Sequence, residues 1–458
     1  MSADQRSQIQ KSVSLPKWLI GLVDISLVNL GLYLSFILTG SELQGYQVGP
    51  LLLLLPSISV FTVLLFNSLG LYGYQRSDFM AVFRALLTAV IGLALFSILF
   101  AFMTRAFLFQ RTVFVAATLI QLVLLLGWRL LYWRLEYWIQ GQKKLLLIGS
   151  GEDADLALEK LKKMPHGLFT VTKTLDPKDL DSFTQSLDQV DAVMIAGSLD
   201  LDLKSRIIRS SFNRNREVYI IPELYEIILT RAAMTQLHDT PVIECREMRL
   251  SFTQLLLKRL VDLSATLLMA LPALVVLVPL VIAVRATSPG PVIFAQERVG
   301  LFGRPFTLYK LRSMIVEAEE ESGPVFATEG DDRVTAVGRF LRKTRLDELP
   351  QLFNVLRGDL SIVGPRPERP YFVKQFSEQM PDYDLRHLVK PGITGLAQVA
   401  GYYATNTHDK LRYDLYYVTD YSLFLDFRIL LLTIPTLFNS EAAKGVSEKL
   451  TGRLSQDG

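Results

Sequence analysis

Residues 258–292 read KRLVDLSATLLMALPALVVLVPLVIAVRATSPGPV, and this stretch decides the fold of the C-terminal part of the chain. It is long and apolar enough for a membrane helix, but Pro272 and Pro279 interrupt it. A proline inside a helix removes a hydrogen bond and kinks the chain, at a cost of about 3 kcal/mol. Two interpretations follow: a fifth, kinked transmembrane helix, or a re-entrant helix over about 258–285 that enters and leaves on one face. The basic residues that flank the stretch favour the second, because Lys and Arg collect on the cytoplasmic face of a membrane. They are Lys258 and Arg259 at its start and Arg285 and Arg298 at its end.

Four further apolar segments fill the first third of the chain, at roughly 17–39, 49–72, 82–103 and 112–134. Each is long enough to cross a bilayer core of about 30 Å as a helix. Basic residues precede the first segment and follow the fourth, whereas the loop GSELQGYQVG has none. Both ends of the bundle are therefore expected on the cytoplasmic side. The sequence predicts a four-helix transmembrane domain over 1–140.

The composition excludes several classes of function. Half of the 458 residues are apolar, and the formal net charge is only +3, so nothing global indicates a nucleic-acid partner. The single cysteine, Cys245, cannot form an internal disulfide or a cysteine-based metal site. The four histidines lack the spacing of a zinc site.

An α/β pattern separates the bundle from the re-entrant stretch. LLLIGSGEDADLALEKLKK (145–163) is typical of strand, glycine turn and helix, and DAVMIAGS (191–198) and EVYIIP (217–222) are typical of buried strands. This rhythm predicts a small parallel-sheet, Rossmann-like domain over 141–250. The GSGEDA turn resembles a dinucleotide fingerprint, but no second motif accompanies it. A structural or regulatory role is favoured over a bound dinucleotide.

The densest group of reactive residues lies in VGRFLRKTRLDELPQLFNVLRGDLSIVGPRPE (337–368). Pro350 is tolerated only in the first turn of a helix, so a helix is predicted to begin at or just before Asp347. Asp347 and Glu348 would then lie at a helix N-terminus, where the dipole favours anions. The alternative is ordinary helix capping. Four cations precede the pair and suit a diphosphate or an anionic lipid: Arg339, Arg342, Lys343 and Arg345.

Other basic residues are held by stiff or extended backbone. Two prolines flank Arg366 in GPRP, which would preorganise its guanidinium for phosphate, although an exposed turn is the simpler alternative. Lys310 and Arg312 stand two apart in YKLRSM and would share one face of a strand. KPGITGLAQV (390–399) is another loop set by proline and glycine.

Residues 255–445 resemble the polyprenyl-phosphate hexose-1-phosphate transferases, bacterial sugar transferases that prime polysaccharide assembly. The matching stretches occur in order: KRLVDL, SPGPVIFAQERVG, YKLRSM, RKTRLDELPQLFNVLRGDLSIVGPRPE and KPGITGLAQV. The whole chain resembles the large members of that family. Their fold would be a membrane α-helical bundle, an α/β Rossmann-like domain and a mixed, mainly helical catalytic domain, here 251–458, with a re-entrant membrane helix. The family's helix commonly breaks at a Ser-Pro pair, whereas here the break is expected near Ala273–Val276.

The resemblance implies a ping-pong reaction at the cytoplasmic face of the bacterial cytoplasmic (inner) membrane. Asp347 would attack the β-phosphate of a UDP-hexose, release UMP and carry the sugar phosphate as an acyl phosphate. Undecaprenyl phosphate would then accept the sugar phosphate, as the first membrane step of exopolysaccharide, capsule or O-antigen synthesis. Splitting one transfer in two is ordinary covalent catalysis.

The resemblance also assigns the remaining site residues. Glu348 would hold Mg²⁺ as the metal cofactor. Arg312, Arg342 and Arg366 fall where the family has basic residues near the phosphates, and Lys310 beside them is a fourth candidate. Membrane lipids are expected partners, and both the insert domain and the bundle offer surfaces for a homodimer.

Three other functions compete with this interpretation. A glycosyltransferase that releases UDP would need a separate acidic metal motif, and no convincing one is found. A non-catalytic scaffold for polysaccharide export would need neither carboxylate, so the intact Asp347-Glu348 pair with Arg366 argues against it. A transporter is disfavoured, because the four N-terminal spans carry few buried charges and no repeat.

Overall fold

The computed structural model describes residues 16–40, 45–73, 79–104, 111–140, 142–163, 169–177, 182–230, 232–245, 248–315, 331–400 and 406–437. The chain divides into two compact units, one ending at Ile221 and one beginning at Pro222. Residues 222–250, assigned to the insert domain from sequence, lie with the second unit. Residues 1–15 of the predicted transmembrane domain and residues 438–458 of the predicted catalytic domain lie outside the described residues.

The first unit begins with the predicted helices. They are α1 (Lys17–Leu38), α2 (Gly45–Ser68), α3 (Phe79–Met103) and α4 (Arg111–Gln140). All four are long and apolar enough to cross a membrane, and a fifth such helix lies in the second unit. The protein is therefore membrane-associated.

Polar side chains fix α1 against α4 in antiparallel register. Gln121 Nε2 donates to the Val28 carbonyl at 3.0 Å, and Arg129 pairs with the fully buried Asp24 at 2.6 Å. A Cβ on Gly31 would lie 2.6 Å from the Gln121 side chain, so the two backbones approach closely there. Charges inside an apolar bundle are tolerated when they are paired in this way.

The α/β region follows α4. Its elements are β1 (Lys143–Ile148), α5 (Gly151–Lys163), β2 (Phe169–Leu175), α6 (Phe183–Ser186), β3 (Ala192–Ile195), α7 (Leu201–Asn213) and β4 (Glu217–Ile220). The strands pair in parallel in the order β2-β1-β3-β4. Strand β1 is central and apolar, and it is fully buried from Leu145 to Ile148. The predicted α/β character is confirmed, whereas its Rossmann-like relationship stays a prediction.

Within its described residues the second unit is mainly helical and contains three short sheets. Its elements are α8 (Leu224–Leu229), β5 (Ala233–Leu237), β6 (Thr240–Glu244), α9 (Phe252–Thr287), β7 (Ile293–Val299), β8 (Pro305–Leu311), α10 (Ala336–Thr344), α11 (Gln351–Arg357), β9 (Ser361–Val363), α12 (Pro370–Gln379), β10 (Gly392–Thr394), α13 (Leu396–Ala400), α14 (Thr407–Thr419) and α15 (Leu423–Leu437). Strands β5 and β6, and β7 and β8, pair antiparallel, while β9 and β10 pair in parallel. Most of the core lies between β8, β9, α14 and α15.

The long apolar helix α9 is continuous over 36 residues and contains Pro272 and Pro279, so the break expected near Ala273–Val276 does not interrupt the helix. Its first turns carry charges that bind the rest of the unit. Lys258 Nζ donates to Asp426 at 2.8 Å and to the Val363 carbonyl at 3.0 Å. Asp262 accepts hydrogen bonds from Ser361 Oγ and Ile362 N.

The far end of α9 contacts the same unit. Val284 is buried in a cluster with Leu311 of β8 and Leu341 of α10, and Arg285 donates to the Gly290 carbonyl. Between the two anchored ends the helix exposes a run of leucine and valine side chains, Leu267, Leu268, Leu271, Leu274 and Val275. The middle of α9 is therefore the part suited to lipid.

Candidate active site

The carboxylate pair lies in a 3-10 turn, not in the first turn of an α-helix. The turn spans Leu346–Glu348, and α11 begins only at Gln351. The predicted helix start was therefore too early. Pro350 has no N–H to donate, so regular α-helical bonding begins after it. The turn follows Arg345, whose φ of +55° reverses the chain after α10.

Glu348 is held by two cations. Its Oε1 atom lies 3.2 Å from an Arg366 terminal nitrogen, which donates to it, and 3.5 Å from Lys310 Nζ. Burial alone would raise the pKa of the Glu348 carboxyl, but the charges of Arg366, Lys310 and Arg345 overcome it and lower that pKa to about 2. Glu348 is therefore a carboxylate at any physiological pH.

Asp347 sits in a different electrostatic environment. Its side chain is only 8% exposed. Burial raises the pKa of Asp347 to about 6, and the neighbouring Glu348 charge adds to the rise. Three basic side chains oppose that rise without cancelling it: Lys310, Arg342 and Arg366. The pair thus combines a permanent anion with a buried carboxylate that titrates near neutrality, a pattern common at catalytic sites.

A pocket opens next to Glu348, because two of its lining residues, Lys310 and Arg366, contact the Glu348 carboxylate. Among its lining residues are Arg298, Lys310, Gln351, Arg366 and Gly392. Three cations on one concave surface suit an anionic ligand such as a phosphate. Arg298 and Gln351 were not predicted as site residues.

Arg298 joins the pocket from the end of β7. Its terminal nitrogens donate to the Pro367 carbonyl at 3.0 Å and to Gln296 at 2.6 Å, and one lies 3.5 Å from Glu368. Burial lowers the pKa of Arg298 to about 10, which leaves it charged. The contacts that bring Arg298 to the pocket are with Pro367 and Glu368, which are distant in sequence. A single sequence does not predict such contacts.

Backbone packing positions Arg366. The Gly364 amide donates to the Thr394 carbonyl at 2.8 Å, and the Gly392 amide donates to the Pro365 carbonyl at 2.9 Å. A Cβ on Gly392 would lie 2.6 Å from the Thr394 oxygen, so only glycine allows this approach. The two loops predicted to be stiff, GPRP and KPGITG, therefore pack directly on each other.

A buried ion pair, Arg386 with Asp414, also binds the loop that carries Arg366. Arg386 donates to Asp414 at 2.7 Å and to the Arg366 carbonyl at 2.8 Å. Both side chains are about 5% exposed or less. Arg366 is thus fixed through its backbone while its guanidinium reaches Glu348.

The other two predicted phosphate ligands lie apart from the pocket lining. Strand β8 ends at Leu311, and both terminal nitrogens of Arg312 donate to backbone carbonyls, those of Ser288 and Pro289. The side chains of Lys310 and Arg312 therefore have different partners, Glu348 for the first and backbone carbonyls for the second. Arg342 donates to Ser313 Oγ at 2.9 Å and lies close enough to Asp347 to influence its pKa. A phosphate-binding role for Arg312 and Arg342 stays a prediction.

The donor set of the carboxylate pair is compatible with Mg²⁺. This ion prefers oxygen ligands and usually binds through one or two carboxylates together with substrate phosphates and waters. Asp347 and Glu348 supply such carboxylates, and the cations approach Glu348 at Oε1. Among the described residues no group of three or more His, Cys, Asp or Glu side chains forms a fully protein-made metal site.

Comparison with known proteins places this site in a family. The family model described as bacterial sugar transferase matches residues 253–440. An uncharacterized sugar transferase of Bacillus subtilis, EpsL, is 40% identical over 204 residues, which cover 44% of this chain and 98% of that protein. The chain belongs to the bacterial sugar transferase family.

Two longer relatives carry functional names. A UDP-N-acetylgalactosamine-undecaprenyl-phosphate N-acetylgalactosaminephosphotransferase of Aeromonas hydrophila is 42% identical over 234 residues, 50% of this chain and 53% of the relative. A UDP-glucose:undecaprenyl-phosphate glucose-1-phosphate transferase of Escherichia coli is 41% identical over 231 residues, 49% of this chain and 50% of the relative. The similar region thus spans about half the length of these relatives.

Proposed function

We propose that this protein transfers a hexose-1-phosphate from a UDP-hexose to undecaprenyl phosphate and releases UMP. The observation that carries the proposal is the buried Asp347 beside Glu348, next to a pocket lined by Arg298, Lys310 and Arg366. The names of similar proteins from Aeromonas hydrophila and Escherichia coli support undecaprenyl phosphate as acceptor and a UDP-sugar as donor.

Asp347 is the nucleophile in this proposal. One of its oxygens bonds to the β-phosphorus of the donor, the bond to the UMP oxygen breaks, and UMP leaves with the electron pair. The resulting acyl phosphate is then attacked by an oxygen of undecaprenyl phosphate, which restores the Asp347 carboxylate. Burial makes Asp347 more basic and less hydrated than an exposed aspartate, which strengthens it as a nucleophile.

The neighbouring side chains bind charge rather than react. Arg366, Lys310 and Arg298 would neutralise the phosphate oxygens on which negative charge gathers. Glu348 would hold Mg²⁺, and the ion when bound would neutralise the donor diphosphate. Glu348 is suited to this because its low pKa keeps it anionic.

We place the reaction at the cytoplasmic face of the bacterial inner membrane, with α9 as a re-entrant helix. From Lys258 to Val284 a straight helix would extend about 39 Å, more than a bilayer core. Both of those residues nevertheless pack within the same unit: Lys258 binds Asp426, and Val284 packs against Leu311. A helix with both ends bound to one unit argues against a fifth span, and entry and exit on a single face would require α9 to bend at Pro272 or Pro279.

The direct test is the identity of the released nucleotide. Purified full-length protein in detergent would receive Mg²⁺, undecaprenyl phosphate and a panel of UDP-hexoses. Release of UMP would support phosphosugar transfer and identify the hexose. Release of UDP would contradict it and indicate simple glycosyl transfer, and no release from any donor would favour a non-catalytic role.

The rate of donor consumption should depend on pH through Asp347. Because only the ionised carboxylate is a nucleophile and its pKa is about 6, kcat/KM for the donor should fall about tenfold per pH unit below that value. Above pH 7 the rate should be flat with respect to this group. A profile flat from pH 7 to pH 5 would contradict the role of Asp347.

A Glu348→Gln variant should show two changes. The Mg²⁺ concentration for half-maximal rate should rise at least about tenfold, as expected when a metal ligand is lost. The acid limb of the pH profile should also move to lower pH, because the Glu348 charge helps to raise the pKa of Asp347. Glu378→Gln, the same change at an exposed position of α12, is the matched control and should alter neither property. Unchanged Mg²⁺ dependence in Glu348→Gln would exclude Glu348 as a ligand.

A further inference from the structure

Helix α11 carries two amide side chains, Gln351 and Asn354, which lie on one face because they are three residues apart. Both residues are buried, with 3% of Gln351 and none of Asn354 exposed. Buried polar groups in folded proteins nearly always have a hydrogen-bond partner. The partners of these two amides therefore indicate what each side chain does.

Asn354 is satisfied by the neighbouring strand β8. Its Oδ1 atom accepts a hydrogen bond from the Tyr309 amide at 3.1 Å, and its Nδ2 atom donates to the Thr307 carbonyl at 2.7 Å. Both ends of the Asn354 amide thus bind backbone groups. Asn354 joins α11 to β8 and has a structural role.

Gln351 differs from Asn354 although it shares the same face of α11. Within the part of the chain that the structure describes, the Gln351 side chain makes no hydrogen bond. It lines the pocket that also contains Arg298, Lys310 and Arg366. Its amide is not wholly enclosed by protein, so the small exposed part of the residue includes the amide. A ligand in the pocket would therefore supply the missing partner of a nearly buried polar group.

The other pocket residues indicate the chemical class of that ligand. Three of them are cations, which favours an anion. Two of these cations, Lys310 and Arg366, also contact the Glu348 carboxylate. The Gln351 amide has two N–H donors and no charge. It can therefore bind an anionic oxygen in a fixed direction without competing for Glu348. The non-bridging oxygens of a phosphate group match such a donor.

We propose that Gln351 is a phosphate-binding residue, whose Nε2 atom donates a hydrogen bond to a non-bridging oxygen of a phosphate held by Arg298, Lys310 and Arg366. This inference rests on the proposed function and deepens it. Two phosphates take part in that function: the diphosphate of the nucleotide-sugar and the phosphate of the lipid acceptor. The same hydrogen bond suits both, so the experiment has to distinguish the two sources.

Binding of inorganic pyrophosphate tests the hydrogen bond without any turnover. The full chain in detergent would be titrated with pyrophosphate in a calorimeter. Wild type should bind it, and Gln351→Met should bind about 10- to 100-fold more weakly, the loss typical of one hydrogen bond to a charged group. Methionine has a similar length and volume but cannot donate. This result does not depend on which nucleotide is released, so it can fail or succeed separately from the proposed function.

Two kinetic measurements on the same variant identify the source of the phosphate. The first is the rate of UMP release at low donor concentration without undecaprenyl phosphate. The second is kcat/KM for undecaprenyl phosphate at saturating donor. A fall in the first alone would assign Gln351 to the donor diphosphate, a fall in the second alone would assign it to the lipid phosphate, and a fall in both would define a common subsite.

Thermal unfolding without ligand separates binding from a structural role. Because Gln351→Met replaces an amide that lacks a partner with an apolar group, its Tm should be no lower than that of wild type. Gln379→Met, the same change at an exposed position of α12, is the matched control and should bind pyrophosphate as wild type does. The proposal is overturned if wild type does not bind pyrophosphate, if Gln351→Met binds it as tightly as wild type, if Gln379→Met is weakened equally, or if the Tm of Gln351→Met falls.

Discussion

An Asp347→Asn variant is expected to lose turnover by a factor on the order of 10⁴ or more while it keeps its fold, because losing a covalent nucleophile removes most of the catalytic power of such a site. The amide has nearly the same shape as the carboxyl but cannot form the acyl phosphate. The variant also removes the negative charge of Asp347, which interacts with Lys310 and Arg366. These cations remain available for the donor phosphates, so donor binding should be retained. The measurement is UMP release under saturating donor and acceptor.

A single-turnover experiment separates the covalent mechanism from a direct transfer. Without undecaprenyl phosphate, wild type should release about one equivalent of UMP per active site and then stop, which is the burst expected of a covalent intermediate. Asp347→Asn should release none. Asp382→Asn, an exposed carboxylate of the same unit, is the control and should behave as wild type. A burst from folded Asp347→Asn protein would contradict the assignment.

The carboxylate pair was predictable from sequence because two adjacent acids follow a run of cations and precede a proline. The backbone conformation of the pair was not predictable. The helix was expected to begin at Asp347, but the structure has a 3-10 turn there and begins α11 at Gln351. The difference matters physically, because the groups that contact the Glu348 carboxylate in the structure are the Arg366 and Lys310 side chains.

The basic residues show where sequence spacing alone fails. Lys310 and Arg312 were expected on one face of a strand, which requires the strand to include both. The Arg312 amide still donates to the Val292 carbonyl, but the Arg312 guanidinium binds the carbonyls after α9 while Lys310 reaches Glu348. Arg298 was interpreted as a cation flanking the membrane stretch. Only the tertiary fold brings it to the pocket, because its partners lie about 70 residues away in sequence.

The spacing of two charged residues at the start of α9 indicates a packed helix end. Lys258 and Asp262 are four residues apart and therefore share one face of a helix. Lys258 was interpreted as part of a basic flank for the membrane, and no role was predicted for Asp262. In the structure both are buried and bind β9, which places the end of the membrane helix against the loop that carries Arg366. The start of α9 thus holds the strand before the Arg366 loop, while its exposed middle is suited to lipid.

Arg366→Ala is expected to lower kcat/KM for the donor by about 10² to 10³, the loss typical when one preorganised group that stabilises transition-state charge is removed. Two effects add. The pocket loses a cation that would face the donor phosphates, and Glu348 loses its nearest partner, the guanidinium at 3.2 Å. Because that guanidinium lowers the pKa of Glu348, its loss should raise that pKa. Glu348 would then be partly protonated at low pH, and the Mg²⁺ concentration needed for half-maximal rate should rise there.

The conservative variant distinguishes charge from geometry. Arg366→Lys keeps the charge but loses the planar fork, so it should recover only part of the rate. The backbone of the loop should survive both changes, because Arg386 binds the Arg366 carbonyl and Gly364 and Gly392 fix the loop through their amides. Arg357→Ala, an exposed arginine at the end of α11, is the matched control and should leave the rate unchanged. A rate for Arg366→Ala within threefold of wild type would mean that the pocket beside Glu348 does not bind the donor phosphates.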